Sequence, residues 1–338
     1  MNVVGELRLP GLEEALGRVE AALAEATAAE DPFLSEVAAH LAGAGGKRLR
    51  PALLIASARA AAPDSASGEV SEETVRGGVA VELVHLGSLY HDDVIDEASN
   101  RRGVESVNAR WGNLMAILAG DFLLAKASEI AASLGTEVAA LLARTISRLC
   151  EGEVGQLRYA FDVARPVDGY MASIGGKTAS LMATAARIGA LVAGAPRPSV
   201  DALTAYGESL GMAFQIWDDI RDVVSSDEDL GKPAGHDMVE GTYTLPVLLA
   251  LRVPGVGDDL RAILGVQLDA PARDKARDLV ISSGAMNAAV SQARQWATRA
   301  DEALDPLRDA AGSEPWRLEQ LATLGGVGHR LLDQLELP

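Results

Sequence analysis

Helical periodicity runs through almost the whole chain, and glycine or proline stands at most of the breaks. Between residues 11 and 28, apolar side chains recur on one helical face, at Leu12, Ala15, Leu16, Val19 and Leu23. The same pattern predicts helices from Pro32 to the glycines at 43–46 and over about 71–95, 111–133, 137–160, 167–193 and 199–224, then a polar loop at about 225–240 and shorter helices over 244–336. Hairpin signals are nearly absent, and no solenoid-length repeat occurs. The chain is therefore predicted to be all-α.

Composition supports closely packed helices. Hydrophobic residues make up 48% of the chain, many of them alanine, whereas aromatic residues make up only 4%. Alanine is the best helix former, and strands favour β-branched and aromatic residues. No linker separates compositionally different halves, so we expect one domain over residues 1–338.

Charge and cysteine content narrow the possible partners and location. The 30 basic and 48 acidic residues give a net charge of -18, which repels nucleic acid and anionic membranes in general. The single cysteine, Cys150, excludes an intrachain disulfide framework and fits a reducing compartment. Residues 1–10 lack a signal-peptide core, and no apolar run is long enough to suggest a membrane span. We expect a cytoplasmic protein that binds no nucleic acid and has no integral membrane segment.

The pattern Asp-Asp-x-x-Asp occurs twice, each time late in a predicted long helix, at Asp92, Asp93 and Asp96 and at Asp218, Asp219 and Asp222. The first and last aspartates of each pattern lie about 40° apart on one face, and the middle aspartate lies off to the side. Like charges at this spacing destabilise a helix, so a cation should offset their repulsion. One such cluster alone is more often a solvated acidic face. Two of them predict magnesium sites, because magnesium is typically held by one or two carboxylates plus substrate phosphates.

Basic residues near these clusters predict diphosphate binding. The segment GGKRLRP at 45–51 combines flexible glycines with Lys47 and Arg50, which suit phosphate oxygens. Other candidates have the same cationic or polar character: Arg101 and Arg102 after the first cluster, Lys177 and Thr178 in GGKTAS, Lys232 in LGKP, and His85 on the face that carries Asp92. No single one of these residues predicts a phosphate site by itself, since a lone lysine is usually solvated and a lone histidine usually belongs to the core.

These residues together resemble the trans-isoprenyl diphosphate synthases, the polyprenyl synthetase family. The resemblance covers about residues 40–250 and rests on motifs that follow one another in family order: GGKRLRP at 45–51, ELVHLGSLYHDDVIDEASNRRG at 82–103, GDFLLAKA at 120–127, KTA at 177–179, FQIWDDIRD at 214–222, LGKPAGHD at 230–237 and TLP at 244–246. It implies a helical bundle of the isoprenoid-synthase type around a deep central cavity, which is usually a homodimer.

The resemblance also implies a role for each matching residue. It assigns the six aspartates to magnesium, with Asp92, Asp96 and Asp218 as the matched ligands, Asp93, Asp219 and Asp222 completing the motifs, and three ions per active site when substrate is bound. It assigns isopentenyl diphosphate to Lys47, Arg50, His85 and Arg102. It assigns the allylic diphosphate to Arg101, Lys177, Thr178, Gln215 and Lys232, of which all but Lys232 act at the reacting centre.

One position departs from the family pattern. Many members have Gly-Lys before the TLP stretch, whereas this chain has Gly241 and Thr242. One phosphate-facing cation is therefore missing, which affects how tightly the allylic diphosphate is held and not the class of reaction.

Product length is predicted from the residues before the first cluster. Members that make short products tend to have an aromatic ring four or five residues before the first aspartate, where this chain has Ser88 and Gly87. Val84, one turn further back, is also of modest size. We therefore expect repeated condensation and products longer than the twenty-carbon class.

Other interpretations stay open at this point. A geranylgeranyl or farnesyl diphosphate synthase would make a short product. A class I terpene cyclase also ionises allylic diphosphates, but it normally has a different second metal motif and no second diphosphate site. A non-catalytic subunit of a heteromer tends to lose one aspartate motif, which this chain keeps, although it could be the catalytic half of one.

Overall fold

The computed structural model describes residues 3–61, 70–225, 234–312, 314–335 and 337, and its regular structure is almost entirely helical. The helices are α1 Leu12–Ala26, α2 Pro32–Gly43, α3 Leu49–Ala61, α4 Glu72–Ile95, α5 Val107–Trp111, α6 Asn113–Ser133, α7 Thr136–Leu157, α8 Val167–Ile174, α9 Ser180–Val192, α10 Arg197–Val224, α11 His236–Val239, α12 Leu245–Ala250, α13 Val256–Arg261, α14 Ala270–Ser282, α15 Ala285–Glu302, α16 Asp305–Ala311, α17 Pro315–Gly325 and α18 Val327–Asp333. A 3₁₀ turn spans Val4–Leu7, and a π-helical turn spans Gly175–Ala179. The all-α prediction is confirmed.

Within the described ranges, a short antiparallel hairpin is the exception to the helical pattern. Strands β1 (Asn100–Arg101) and β2 (Val104–Glu105) pair directly after α4. Their two-residue turn has positive φ at both Arg102 (54°) and Gly103 (77°). A two-residue hairpin with positive φ at both turn positions matches the twist of its strands. The hairpin turns the chain back towards α4.

The described chain divides into two compact units, and the first comprises Met1–Ile146, Leu181–Gly207 and Ala303–Leu324. Its central element is α4, which packs on α1, α3 and α6. The Ser71 hydroxyl begins α4 by accepting a hydrogen bond from the Thr74 N–H at 3.2 Å. Every residue from 77 to 84 is buried. Since this middle stretch of α4 is buried on every face, it gives the first aspartate motif at the C-terminal end of the helix a rigid support.

The second unit comprises Ser147–Ser180, Glu208–Glu302 and Gly325–Pro338. Helix α15 packs on α12, α14 and α18 through a stripe of buried alanines. These small side chains let neighbours approach closely, since a Cβ added at Gly328 would lie 2.9 Å from the Ala297 Cβ. The fully buried Trp217 of α10 anchors the helix that carries the second aspartate motif.

The prediction of one domain around a central cavity stays a prediction. No helix in the described ranges has the length and apolar character that a membrane crossing requires.

Candidate active site

The first aspartate motif lies at the end of α4 and points in two directions. Asp92 is half-buried and Asp96 is exposed, whereas Asp93 is fully buried. The Asp96 N–H caps the helix by donating to the Asp92 carbonyl at 2.8 Å. Asp92 and Asp96 thus present carboxylates at the helix end, and Asp93 turns inward.

The hairpin supplies the partner of the inward aspartate. Arg101 Nε and Nη2 each lie 2.6 Å from Asp93 Oδ1. Burial raises the pKa of Asp93, and the charge and hydrogen bond of Arg101 oppose that rise. The pair fixes β1 against the end of α4.

Arg102, at the turn of the hairpin, reaches the loop before α3. Its Nη1 donates to the Leu41 carbonyl at 3.2 Å and also to the Gly45 carbonyl. Its Nη2 lies 3.5 Å from His85 Nε2. Gly46 leaves room for this guanidinium, since a Cβ there would lie 2.8 Å from Arg102 Cζ. The space that the glycines of GGKRLRP leave open is therefore filled by the Arg102 side chain.

Four predicted residues form this basic group: Lys47, Arg50, His85 and Arg102. Burial first, and then the charges of Arg50 and Arg102, lower the pKa of His85 well below its usual range. His85 is consequently neutral at physiological pH. Burial also lowers the pKa of Arg50, while the nearby carboxylates of Glu82 and Asp92 raise it. Within the group, Lys47 is the exposed member.

A buried carboxylate that the sequence analysis missed lies under the basic group. Glu82 contacts Arg48 Nη1 at 2.8 Å and Arg102 Nη2 at 3.9 Å. Arg48 is itself buried and also contacts Glu20. The i, i+3 spacing of Glu82 and His85 on α4 was the available signal, because residues three apart share a helical face.

The three chain-length candidates have different surroundings. Val84 is fully buried, and Gly87 faces α6, where an added Cβ would lie 3.0 Å from the Gly120 carbonyl oxygen. Ser88 is half-buried, and its hydroxyl donates to the His85 carbonyl at 2.8 Å. Among these candidates, Ser88 has the most exposed side chain.

The second aspartate motif lies near the end of α10 and also has outward and inward carboxylates, but here the last aspartate is buried together with the middle one. Asp218 is exposed, whereas Asp219 and Asp222 are buried. The Asp222 carboxylate accepts from the Asp237 N–H at 3.4 Å, and its carbonyl accepts from the Gly235 N–H at 2.7 Å. These bonds tie the beginning of α11 and the residue before it to α10.

Asp219 accepts hydrogen bonds from two neutral groups. The Tyr170 hydroxyl donates to its Oδ2 at 2.5 Å, and Gln215 Nε2 donates to its Oδ1 at 2.8 Å. Burial raises the pKa of Asp219 well above its usual range, and the nearby Asp237 adds to the rise. Tyr170 was not predicted, and a partner 49 residues away leaves no local sequence signal.

The predicted KTA residues lie in the π-helical turn between α8 and α9. Lys177 Nζ lies 2.6 Å from Glu153 Oε2. The Thr178 hydroxyl donates to Gln215 Oε1 at 2.6 Å. Gln215 therefore links Thr178 to Asp219. Lys232 lies outside the described residues.

Among the residues that the structure describes, the predicted site residues fall into two sets. The first aspartate motif, the hairpin arginines and the basic group lie in the first unit, and the second aspartate motif, Gln215 and the KTA residues lie in the second. The outward carboxylates of Asp92, Asp96 and Asp218 are oxygen donors of the kind that magnesium prefers together with phosphate oxygens, so they fit this metal. In the described part of the chain, no three histidine, cysteine or acidic side chains form a preassembled metal site.

Comparison with known proteins gives a consistent family. A family model described as Polyprenyl synthetase matches residues 31–279. The chain is 43% identical to Heptaprenyl diphosphate synthase component 2 of Geobacillus stearothermophilus over 242 residues, covering 71% of this chain and 73% of the relative. It is 40% identical to Nonaprenyl diphosphate synthase of Mycobacterium tuberculosis over 301 residues, covering 88% of each.

The fold agrees with a solved structure of the same kind. The polyprenyl synthase from Caulobacter crescentus, complexed with calcium and isoprenyl diphosphate, superposes with a TM-score of 0.85 at 34% identity, covering 96% of this chain and 97% of that one. The family match spans well over half of the residues, and the relatives are similar along most of their length. The chain therefore belongs to the polyprenyl synthetase family and is a prenyltransferase with the all-α isoprenoid-synthase fold.

Proposed function

We propose that this enzyme joins an allylic diphosphate to isopentenyl diphosphate and repeats the step to build a long all-trans polyprenyl diphosphate. The observation that carries the proposal is the basic group around neutral His85. This group lies near the first aspartate motif, because the charge of Asp92 raises the pKa of Arg50. Cations beside outward carboxylates suit a diphosphate that arrives with magnesium.

Isopentenyl diphosphate is assigned to Lys47, Arg50, Arg102 and His85. The arginine guanidinium groups offer planar forks of donors for phosphate oxygens, and Lys47 offers a point charge. His85 contributes a hydrogen-bonding ring without a fourth positive charge, because burial and the neighbouring arginines lower its pKa and keep it neutral. The diphosphate held in this way presents the double bond of the isopentenyl group in a fixed orientation.

The allylic diphosphate is assigned to Arg101, Lys177, Thr178, Gln215 and Lys232. Glu153 holds the Lys177 ammonium, and Gln215 holds the Thr178 hydroxyl, so both polar groups are oriented before substrate arrives. When the carbon–oxygen bond of the allylic substrate breaks, the electron pair goes to the diphosphate, and these groups stabilise the developing negative charge.

The remaining steps, which are carbon–carbon bond formation and loss of a proton, need no side-chain base. The double bond of isopentenyl diphosphate attacks the allylic carbon and forms the new carbon–carbon bond. A proton is then lost to the released diphosphate. Water must be kept from the allylic cation, since otherwise an alcohol forms.

Magnesium is proposed to bind at Asp92, Asp96 and Asp218, where it supplies positive charge to the leaving diphosphate. Three ions per active site is the proposed number. The buried Asp93, Asp219 and Asp222 are proposed to complete these sites mainly by supporting the helix ends, because their carboxylates point into the protein.

Long products are supported by the small side chain of Ser88 and by relatives named heptaprenyl and nonaprenyl diphosphate synthases. A homodimer in the cytoplasm is proposed, and the exposed apolar residues Leu114, Ile117 and Leu118 of α6 support a subunit contact. A heteromer is the second candidate, because one relative is named as a component.

The purified chain alone, supplied with farnesyl diphosphate, isopentenyl diphosphate and magnesium, tests the proposal. We expect linear products longer than twenty carbons by mass spectrometry, and Asp218→Asn should lower kcat about 100-fold or more, in line with losses of preorganised electrostatic groups. Cyclic products formed without isopentenyl diphosphate would identify a cyclase. No turnover by the well-folded chain alone would favour the heteromer, and products of fifteen or twenty carbons would refute the long-chain assignment.

A further inference from the structure

Tyr170 is a buried residue to which the proposed reaction gives no role. Its side chain is 1% exposed, yet its hydroxyl contacts a carboxylate of the second aspartate motif, Asp219, at 2.5 Å. The other oxygen of that carboxylate accepts from Gln215 at 2.8 Å. Asp219 is 4% exposed, so these two neutral donors fix the direction of its carboxylate.

The Tyr170 ring is itself held in place. The Arg165 guanidinium carbon lies 5.6 Å from the centroid of the ring. Arg165 is buried and donates to the Tyr243 carbonyl at 3.2 Å and to the Ser173 hydroxyl at 3.0 Å. The tyrosine hydroxyl therefore has little freedom to leave the carboxylate.

Asp218 precedes Asp219 on α10 and is exposed. Because Asp218 and Asp219 are adjacent on α10, the two hydrogen bonds that hold the Asp219 carboxylate also restrain the turn of backbone from which Asp218 projects. Without the tyrosine hydroxyl, the buried carboxylate would lose one of two donors. The turn would then relax towards other donors or towards water.

We propose that Tyr170 is a positioning residue that orients the Asp218 carboxylate for metal and diphosphate binding by clamping Asp219 from inside the protein. This inference rests on the proposed role of Asp218. It also extends to the allylic side, because Gln215 accepts from Thr178 at 2.6 Å, so the clamp and the π-helical turn belong to one hydrogen-bonded chain.

The variant Tyr170→Phe removes one hydroxyl and keeps the ring. Binding of Mn²⁺ in the presence of inorganic diphosphate is measured by electron paramagnetic resonance, with no prenyl substrate. We expect the dissociation constant for Mn²⁺ to rise about tenfold or more, as is usual when a group supporting a metal ligand is lost. In turnover, kcat should fall while the KM for isopentenyl diphosphate stays within about twofold, because the basic group is untouched.

Tyr206→Phe is the matched control. Tyr206 is also fully buried, and its hydroxyl donates to the Leu324 carbonyl at 2.9 Å, so the substitution removes a comparable hydrogen bond away from the motif. We expect a similar loss of thermal stability and unchanged Mn²⁺ binding. If Tyr170→Phe binds Mn²⁺ as the wild type does, or if both variants weaken it equally, the inference is overturned.

A second variant covers the case in which Tyr170→Phe does not fold. Arg165→Lys keeps a cation under the ring but loses the fork that holds it, and it should weaken Mn²⁺ binding by a smaller factor. Unchanged binding in that variant would overturn the inference. A wild-type chain that binds Mn²⁺ with diphosphate but elongates no prenyl chain would overturn the proposed function and leave this inference standing.

Discussion

Replacing Glu82 with glutamine tests whether the buried carboxylate supports the basic group. The Glu82 side chain is 1% exposed and lies 2.8 Å from Arg48 Nη1 and 3.9 Å from Arg102 Nη2. Glutamine keeps the size and one acceptor oxygen but removes the charge. Arg48, whose side chain is 4% exposed, would keep Glu20 as an ionic partner.

The expected cost follows from burial. Removing one partner of a buried ion pair usually costs about 3–5 kcal/mol, because the other charge stays buried without compensation. Glutamine still accepts a hydrogen bond, so we expect the lower end, about 3 kcal/mol of the free energy of unfolding. Glu20→Gln is the matched control, since it removes the charge of the other carboxylate that pairs with Arg48. The Glu20 side chain is 44% exposed, and surface pairs contribute about 1 kcal/mol or less.

Urea denaturation measures the stability of both variants, and steady-state kinetics measures the KM for isopentenyl diphosphate. Because Arg102 loses the carboxylate that helps to orient its guanidinium, we expect Glu82→Gln to raise this KM about tenfold, the equivalent of one weakened charge-assisted contact. Equal destabilisation by the two variants would refute the burial argument. If Glu82→Gln is destabilised but its KM for isopentenyl diphosphate is unchanged, Glu82 does not support the diphosphate site.

Two further predictions concern the same helix. The pKa of His85 is lowered in the folded chain, so below about pH 6.5 the unfolded chain binds a proton that the folded chain does not, and stability should fall by about 1.4 kcal/mol per pH unit from this residue. His85→Gln should therefore lose less stability than the wild type between pH 7 and pH 5.5 in urea titrations, and parallel losses would contradict the lowered pKa of His85. The second prediction concerns product length: Ser88→Phe should shorten the product while preserving the first condensation, because a ring at this partly exposed position would block a growing tail. Gly87→Phe would instead clash with α6 and lower stability, and an unchanged product length in Ser88→Phe would refute the tunnel assignment.

The long helices and the division within the first aspartate motif were predictable from sequence. Helical geometry placed Asp92 and Asp96 on one face and Asp93 to its side, and the structure has Asp93 turned inward. In the second motif, Asp218 and Asp222 were expected to point together, but Asp222 is buried because the chain at Gly235 and Asp237 packs on it. The partners of the inward aspartates were not predictable in the same way. Arg101 reaches Asp93 only because a hairpin reverses the chain, and Tyr170 reaches Asp219 from a different helix.

Helix α3 and the π-helical turn were not predicted, because hydrophobic periodicity gives no signal for either of them. Helix α3 is buried at every residue except Arg50 and Arg59, so its sequence has no alternation between apolar and polar faces for a periodicity argument to detect. The predicted helix over 167–193 is real, but its middle is a π-helical turn that periodicity alone does not distinguish. The hairpin did have a local signal, since Arg102 and Gly103 form a two-residue loop that ends in glycine.

The π-helical turn has a consequence for insertions and deletions. Such a turn contains one residue more than an α-helical turn, and Gly176 within it packs so closely on α7 that an added Cβ would lie 2.7 Å from the Arg148 carbonyl oxygen. Deleting a single residue here would favour α-helical geometry and shift the backbone that now packs at Gly176 against α7. The contacts of Tyr170 with Asp219 and of Ser173 with Arg165, which lie in the helix just before this turn, would then be disturbed. Functional variants of this enzyme should therefore keep the length of this stretch constant, even at positions where they accept a different side chain.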